Sequence, residues 1–216
     1  MSLNNCIDHT CIRPTATKND IINLCDDCYA HRLRGVCVAP QYVYLASEEL
    51  KDDPDSKVSA VIGFPFGYTT TPCKIVEAEM ALLHGANELD VVWNIGLFRG
   101  GKYLKVLNEL SCIVNKANKN RVKVIVEECY LRNDYELRLA YKIVKDSGAY
   151  AIKTSTGCGV YGAKTSTVAL WSSMEGDLKI KAAGGIRTKE QVLNLINNGA
   201  DIIGTSHSLN IIEGTY

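Results

Sequence analysis

The sequence predicts a (β/α)8 or TIM barrel, a ring of eight parallel strands surrounded by helices, formed as one domain by residues 1–216. Eight short apolar runs recur along the chain, helix-like segments separate them, and three of these segments end in the same Gly-Ala pair. Alternating strands and helices imply a parallel α/β architecture. The alternative, an open doubly wound sheet, requires G-x-G-x-x-G after an early strand, and the sequence contains none.

Each apolar run has the length and the β-branched content of a strand. The runs cover residues 5–9, 34–40, 57–65, 87–94, 121–128, 149–157, 178–185 and 200–206. Among the helix-like segments, residues 71–86 repeat apolar side chains near the 3.6-residue period, and Pro72 marks the start of that helix. The stretches HGANELD, SGAYAIK and NGADIIG place a glycine just before a strand, where it suits a left-handed helix cap.

Charge and composition exclude several classes of function. Lysine plus arginine equals aspartate plus glutamate, at 24 each, so the chain lacks the basic excess typical of nucleic-acid or membrane-surface binders. The first ten residues, MSLNNCIDHT, have neither the basic nor the apolar region of a signal peptide. No apolar run reaches the roughly 18 residues of a membrane helix. We therefore expect a soluble, cytoplasmic protein.

The nine cysteines favour buried thiols in a reducing compartment over a disulfide framework, because their number is odd and most lie in apolar runs. Cys25 and Cys28 form the one C-x-x-C, in the middle of a predicted helix and without a second pair of ligands. The four histidines show no metal-binding spacing. We expect no metal site.

Strand alternation predicts which side chains point into the barrel. Leu89, Val91 and Trp93 share the face that contacts the helices. The polar residues of the opposite, inward faces are Asp8, Cys37, Glu88, Asp90, Glu127, Lys153, Ser155, Lys179 and Lys181.

Five of these inward residues are predicted to meet near the C-terminal ends of the strands, where barrel enzymes carry their active sites. They are Asp8, Asp90, Glu127, Lys153 and Lys181. A structural network of buried ion pairs is the alternative interpretation for any one of them. Two lysines and several carboxylates at one end of the same barrel favour catalysis.

The last two predicted strands end in glycine-rich turns, AAGGIR at 182–187 and IGTS at 203–206. Barrels often bind phosphate at the loops after strands seven and eight, where backbone N–H groups and helix N-termini favour anions. Arg187 is placed to add a charge-assisted contact. Each motif alone also suits a tight turn, but their positions on successive final strands predict a phosphorylated small-molecule substrate.

These motifs together resemble the deoxyribose-phosphate aldolase family over nearly the whole chain. The matching stretches, in chain order, are DHT…RP.AT at 8–17, GVCVAPQYV at 35–43, VIGFPFG at 61–67, ELDVVWNIG at 88–96, VKVIVEECYL at 122–131, IKTSTG at 152–157, KAAGGIRT at 181–188 and IGTS at 203–206. The combination of IKTSTG with K-x-x-G-G-[IV]-R is the most specific of these features.

The resemblance implies a class I aldolase that needs no cofactor and cleaves 2-deoxy-D-ribose 5-phosphate reversibly into D-glyceraldehyde 3-phosphate and acetaldehyde. By position, Lys153 corresponds to the Schiff-base lysine, Lys181 to the second lysine and Asp90 to the proton-relay carboxylate. Tyr216 corresponds to the chain-terminal tyrosine that reaches into the site. The phosphate contacts fall on Gly157, Gly184, Gly185, Gly204 and Ser206. The resemblance also implies a homo-oligomer, most simply a dimer.

The chemistry explains why a lysine ends the apolar run at 151–153. An amine must be neutral to attack a carbonyl, yet a free lysine has a pKa of about 10.4 and is protonated at neutral pH. Burial and a neighbouring ammonium both favour the neutral amine. Asp8, Cys37 and Thr154 complete the predicted site, although core packing explains Cys37 equally well.

Two positions depart from the family pattern. His207 follows IGTS where a serine or glycine is usual, and Cys158 follows Gly157 where phenylalanine or lysine is frequent. Two other functions stay open at this point. A transaldolase or fructose-bisphosphate aldolase shares the lysine but lacks the paired motifs, and a phosphosugar-binding sensor would not require Lys153, Lys181 and Asp90 together.

Overall fold

The computed structural model describes residues 3–117 and 121–214 as a closed barrel of eight parallel strands in the order β1 to β8. The predicted fold class is therefore confirmed. The strands are β1 Ile7–Cys11, β2 Gly35–Val38, β3 Lys57–Ile62, β4 Glu88–Val92, β5 Arg121–Ile125, β6 Ala151–Lys153, β7 Lys179–Ala183 and β8 Ile202–Thr205.

Helices surround the barrel and connect successive strands. Within the described ranges they are α1 Lys18–Ala30, α2 Val43–Glu49, α3 Thr71–Leu83, α4 Ile95–Arg99, α5 Tyr103–Lys116, α6 Asp134–Asp146, α7 Thr165–Ser172, α8 Lys189–Asn197 and α9 Ser208–Glu213. Short 3-10 helices cover Leu3–Cys6, Pro40–Tyr42 and Glu128–Tyr130. In the part of the chain that the structure describes, none of these helices has both the length and the apolar character that crossing a membrane requires.

All eight strands differ from the predicted runs by one or more residues, and two of these differences have a clear structural cause. The run at 5–9 is wrong by two residues, because Leu3–Cys6 form a 3-10 helix and β1 begins at Ile7. The run at 149–157 contributes only Ala151–Lys153, because the residues after Lys153 leave the sheet to build the mouth of the barrel. This early exit places Lys153 at the C-terminal end of β6.

The predicted glycine caps are confirmed. Gly85, Gly148 and Gly199 have φ values of +100°, +79° and +106°, in the left-handed region that glycine adopts without steric cost. Helix α3 carries Pro72 in its first turn, as the sequence predicts. Since these turns end helices tightly, each following strand enters the barrel immediately.

The apolar core lies between the barrel and the helices. Leu89, Val91 and Trp93 of β4 and its extension belong to this core, which confirms the face predicted for them. The buried Trp93 indole N–H donates to the Val126 carbonyl at 2.9 Å. The helix-facing side of the strands is thus apolar, and the charged side chains of the same strands fill the barrel interior.

Candidate active site

Seven charged side chains form one column inside the barrel, which we call the charge column. Six are at most 3% exposed, and the side chain of Arg34, at the N-terminal end, is 13% exposed. The members are Asp8, Arg34, Glu88, Asp90, Lys123, Lys153 and Lys181. Strand register brings them together, since Lys153 pairs with Lys181 across β6–β7 and Asp90 pairs with Lys123 across β4–β5.

Asp90 is the centre of the charge column. Its Oδ2 accepts from Lys153 Nζ at 2.7 Å and from Lys181 Nζ at 2.8 Å. Its Oδ1 accepts from Lys123 Nζ at 2.8 Å. One carboxylate therefore touches three amines, and a proton can pass between any two of them through it.

The surrounding charges keep this cluster ionised. Burial alone raises the pKa of Asp90, but the three ammonium groups outweigh burial and hold that pKa well below its ordinary value. Burial likewise opposes ionisation of Lys181, yet Asp8 and Asp90 raise its pKa above the usual lysine range. The pKa of Asp8 is lowered, because Lys181 and Arg34 together outweigh its burial. Lys181 is thus an ammonium beside a carboxylate, an acid and a base within hydrogen-bond distance.

Two members of the charge column were not among the candidates from the sequence. Lys123 has the same strand parity as Glu127 on the run 121–128, so alternation already indicates that it points inward. Its Nζ also contacts Glu88 at 2.7 Å and Ser59 at 2.9 Å. Arg34 precedes β2, and no pattern in the sequence indicates that its side chain enters the barrel.

Two residues predicted to point inward make other contacts. Glu127 has a left-handed φ of +48°, which breaks the strand alternation, and it accepts from the backbone N–H and the hydroxyl of Thr156 instead of a lysine. Lys179 begins β7 at the opposite end of the barrel, where it is half-exposed and bonds to Asp201 at 2.8 Å. Neither residue joins the charge column, because β5 ends at Ile125, before Glu127, and Lys179 lies at the far end of β7.

Cys37 and Thr154 are both fully buried. The Cys37 thiol lies 3.8 Å from Asp90 Oδ2, and burial, reinforced by the Asp90 charge, raises the pKa of this thiol to about 11. The Thr154 hydroxyl donates to the Ala183 carbonyl and accepts from the Ala183 N–H, both at 3.0 Å. Cys37 is therefore a neutral neighbour of Asp90, and Thr154 ties β6 to β7 where Lys153 ends.

A cavity of about 480 Å³ opens at the C-terminal end of the barrel and reaches Lys153. Its wall includes all six residues predicted to contact phosphate: Gly157, Gly184, Gly185, Arg187, Gly204 and Ser206. The end of β1 adds Thr10 and the loop after it adds Arg13, neither of which was a candidate site residue from the sequence. The cavity thus joins the lysine to the glycine-rich turns. Tyr216 lies outside the described residues, so its role stays a prediction.

Glycine is required in this wall for two physical reasons. Gly157, Gly184 and Gly185 have φ values of +88°, +91° and +72°, which other residues rarely adopt. A side chain at Gly204 would place its Cβ 3.2 Å from Cε of Lys181. The backbone of these turns therefore suits glycine, and the missing side chain at Gly204 leaves space for the charge column.

Polar side chains border the same end of the cavity. The hydroxyl of Ser206 lies 3.1 Å from Nδ1 of His207, and both residues line the wall. The Arg187 side chain is exposed, while its backbone N–H is bonded to Gln191 Oε1 at 2.8 Å. An anion at this place meets a hydroxyl, an imidazole and a guanidinium.

Glu128 anchors the loop that forms one side of the mouth. Its Oε1 accepts from the backbone N–H of Lys164 at 2.8 Å, and burial raises the pKa of its carboxyl from 4.5 to about 7. The Glu128 carboxyl has a higher pKa in the folded protein than in the unfolded chain. Above pH 4.5 the folded protein therefore keeps a proton that the unfolded chain releases. The stability that this proton provides is complete below pH 4.5 and is lost as the pH rises through 7.

Glu128→Gln is therefore expected to stabilise the protein at pH 8 and not at pH 4. The shift corresponds to an upper limit of about 3 kcal/mol in the free energy of unfolding. Urea denaturation of both proteins at the two pH values measures it, with the exposed Glu48→Gln as control. An equal effect of Glu128→Gln at both pH values would contradict this origin.

The barrel and its lysine-centred site are those of a (β/α)8-barrel aldolase, a lyase. Sequence comparison agrees, because the profile of the DeoC/LacD family of aldolases matches residues 5–210. The chain belongs to the DeoC/LacD aldolase family. The resemblance noted in the sequence is thereby confirmed.

Individual relatives support the same assignment. A deoxyribose-phosphate aldolase of Thermococcus gammatolerans is 45% identical over 218 residues, covering 99% of this chain and 96% of the relative. One from Dictyoglomus turgidum is 44% identical, covering 96% and 94%. Among solved structures, the aldolase QR15 superimposes with a TM-score of 0.94 at 38% identity, covering 99% and 96% of the two chains. The deoxyribose phosphate aldolase of Aeropyrum pernix, described as tetrameric, has a TM-score of 0.91 at 35% identity, covering 98% and 90%.

Proposed function

We propose that the protein cleaves 2-deoxy-D-ribose 5-phosphate reversibly into D-glyceraldehyde 3-phosphate and acetaldehyde through a Schiff base on Lys153. One observation carries the assignment of the nucleophile: of the three lysines on Asp90, only Lys153 also lines the cavity. The names of the similar relatives support the choice of substrate.

The reaction begins at the aldehyde carbon of the open-chain sugar. The neutral amine of Lys153 adds to this carbon, the resulting carbinolamine loses water, and an iminium forms. The hydroxyl on the third carbon then gives up its proton, and the bond between the second and third carbons breaks. Its electrons pass into the iminium, which becomes an enamine, and glyceraldehyde 3-phosphate leaves. Protonation of the enamine and hydrolysis release acetaldehyde and restore the lysine.

Asp90 and Lys181 supply the proton transfers. Asp90 is an ionised acceptor and Lys181 a protonated donor, and they lie 2.8 Å apart beside the Lys153 amine. A water between them and the substrate can take the proton from the third-carbon hydroxyl and deliver one to the leaving water. Tyr216, the further proton carrier that the family resemblance implies, remains a prediction.

The phosphate end of the substrate lies against the glycine-rich wall. Backbone N–H groups of Gly184, Gly185 and Gly204 and the Ser206 hydroxyl are the proposed ligands, with Arg187 contributing charge. The substrate then spans the cavity, because one end must reach the Lys153 amine and the other the glycine-rich wall.

Gly184→Ala is expected to raise KM for deoxyribose phosphate about ten- to hundredfold by losing a phosphate contact, with a smaller effect on kcat. The new Cβ would lie 3.0 Å from Gly162 Cα and 3.3 Å from Ser155 Cβ. Steady-state kinetics measures the change. Gly101→Ala is the matched control, since Gly101 has a φ of +71° but no atom within 4 Å of its Cβ position. An equal rise in KM for both variants would point to general backbone strain.

Cleavage and trapping test the proposed function together. Deoxyribose phosphate should yield glyceraldehyde 3-phosphate, while dihydroxyacetone, the donor of a transaldolase-type reaction, should not react. Reduction with borohydride in the presence of acetaldehyde should leave an ethyl group of about 28 Da on Lys153 alone. Absence of both turnover and adduct in folded protein would favour a phosphosugar-binding role instead.

The predicted homodimer and cytoplasmic location remain predictions. The Aeropyrum pernix relative is described as tetrameric, so this family includes at least one assembly larger than a dimer. Mass measurement in solution decides the oligomeric state of this chain.

A further inference from the structure

The charge column contains unequal numbers of bases and acids. Four basic side chains meet three carboxylates, and all seven lie in the barrel interior. With every member ionised, the column carries one uncompensated positive charge. Isolated charge is costly in a buried environment, so loss of one proton from the column brings it to neutrality.

The contacts indicate which base gives up that proton. Lys123 Nζ has three acceptors, namely Glu88, Asp90 and Ser59. Lys181 Nζ has two carboxylates, Asp8 at 2.5 Å and Asp90 at 2.8 Å. Within the described residues, Lys153 Nζ has one partner, Asp90. The ammonium of Lys153 is therefore the least stabilised of the three.

Arg34 is the source of the excess charge. Its guanidinium bonds to Asp8 Oδ1 at 2.6 Å and to both oxygens of Glu88, at 2.6 and 2.9 Å. A guanidinium stays protonated in proteins, so Arg34 cannot remove the excess positive charge by losing a proton. Without Arg34, three ammonium groups would balance three carboxylates and no proton would need to leave.

We propose that Arg34, at the end of the barrel opposite the cavity, is a positioning residue that makes Lys153 release its proton and so activates the nucleophile. The inference rests on the proposed function, in which Lys153 is that nucleophile. Arg34 acts through two chains of contacts. One passes through Asp8, Lys181 and Asp90, and the other through Glu88, Lys123 and Asp90.

Among the described residues, the other titratable groups near Lys153 form no ion pair with the charge column. Arg13, Arg187 and His207 line the cavity wall, where Arg13 pairs with Asp20. Cys37 is a neutral thiol beside Asp90, since burial raises its pKa to about 11. Glu127 is buried and accepts from the backbone N–H of Thr156, and in the described structure it contacts no basic member of the column. The inward residues Ser59 of β3 and Gly204 of β8 carry no charge. Lys179 and Asp201 pair with each other at the exposed base of the barrel.

Three variants test the proposal through the pH dependence of kcat/KM. We call the fall of kcat/KM at low pH the acid limb, and its position follows the protonation of an essential base in the free enzyme. Arg34→Met should move this limb to higher pH, and Glu88→Gln should move it to lower pH. The double variant restores the original balance and should return the limb close to its wild-type position. In general, at an effective dielectric constant of about 20, a unit charge acting over about 10 Å shifts a pKa by about one unit, so we expect shifts of that order. The phosphate group of the free substrate ionises in the same way in all four experiments, so it does not affect the differences between the proteins.

Opposite shifts in the single variants, with recovery in the double variant, are the expected result. An unmoved acid limb with lower kcat would mean that Arg34 only supports the fold, and shifts of the same sign would overturn the charge argument. If Arg34→Met does not fold, Glu88→Gln alone tests the proposal. Glutamine keeps the shape of the glutamate side chain, and the charge argument predicts that the acid limb of this variant moves to lower pH. Wild-type trapping of acetaldehyde on Lys153 is measured first, so failure of the proposed function is recognised separately.

Discussion

Replacing Lys153 by arginine is expected to lower kcat/KM for deoxyribose phosphate by at least about 10⁴-fold and to abolish the borohydride-trapped adduct. Arginine keeps a positive charge next to Asp90, with which Lys153 forms an ion pair at 2.7 Å. It cannot form the iminium, because its guanidinium stays protonated. The loss should therefore appear in catalysis, with the fold retained.

Lys179→Arg is the matched control for this experiment. Lys179 also lies on an inward-parity position of the neighbouring strand, but it is half-exposed and pairs with Asp201 at the opposite end. Its substitution should leave turnover and trapping within about twofold of wild type, since exposed ion pairs contribute little. An adduct that persists in Lys153→Arg and disappears in a Lys181 or Lys123 variant would reassign the nucleophile.

Replacing Asp90 by asparagine should damage both activity and stability. Lys123, Lys153 and Lys181 lose the carboxylate that they share, and breaking a buried ion pair typically costs about 3–5 kcal/mol in the free energy of unfolding. Loss of the proton acceptor should reduce kcat by about 10²- to 10⁴-fold. Because the folded pKa of Asp90 lies below its unfolded value, its stabilising effect is present above pH 4 and declines as the pH falls.

Urea denaturation at pH 7 and at pH 3, together with turnover at pH 7, measures these effects. The stability difference between wild type and Asp90→Asn should narrow at the lower pH. Asp201→Asn is the control, as it breaks a partly exposed pair with Lys179 and should cost less than about 1 kcal/mol. A variant as stable as wild type at pH 7 would show that the ammonium groups do not depend on Asp90.

Local patterns were sufficient to predict the architecture. Helix caps at Gly85, Gly148 and Gly199 and the apolar runs before and after them depend on neighbours a few residues away. Strand parity identified Asp8, Asp90, Lys153 and Lys181, because the side-chain period of two holds wherever a strand is regular. The glycine-rich turns after β7 and β8 were recognisable for the same reason, since the conformation of a turn is a local property.

The sequence by itself determined the barrel, the inward positions of Lys153, Lys181 and Asp90, and the glycine-rich turns that line the cavity, because periodicity, caps and turns are encoded in adjacent residues. Only the tertiary structure decided which charges meet. Arg34 enters from outside the strands, Lys123 joins Asp90 through the β4–β5 register, and Glu127 turns away through a left-handed backbone. Electrostatic partners depend on distances between residues far apart in the chain, and the charge balance of the barrel interior exists only after all eight strands have closed.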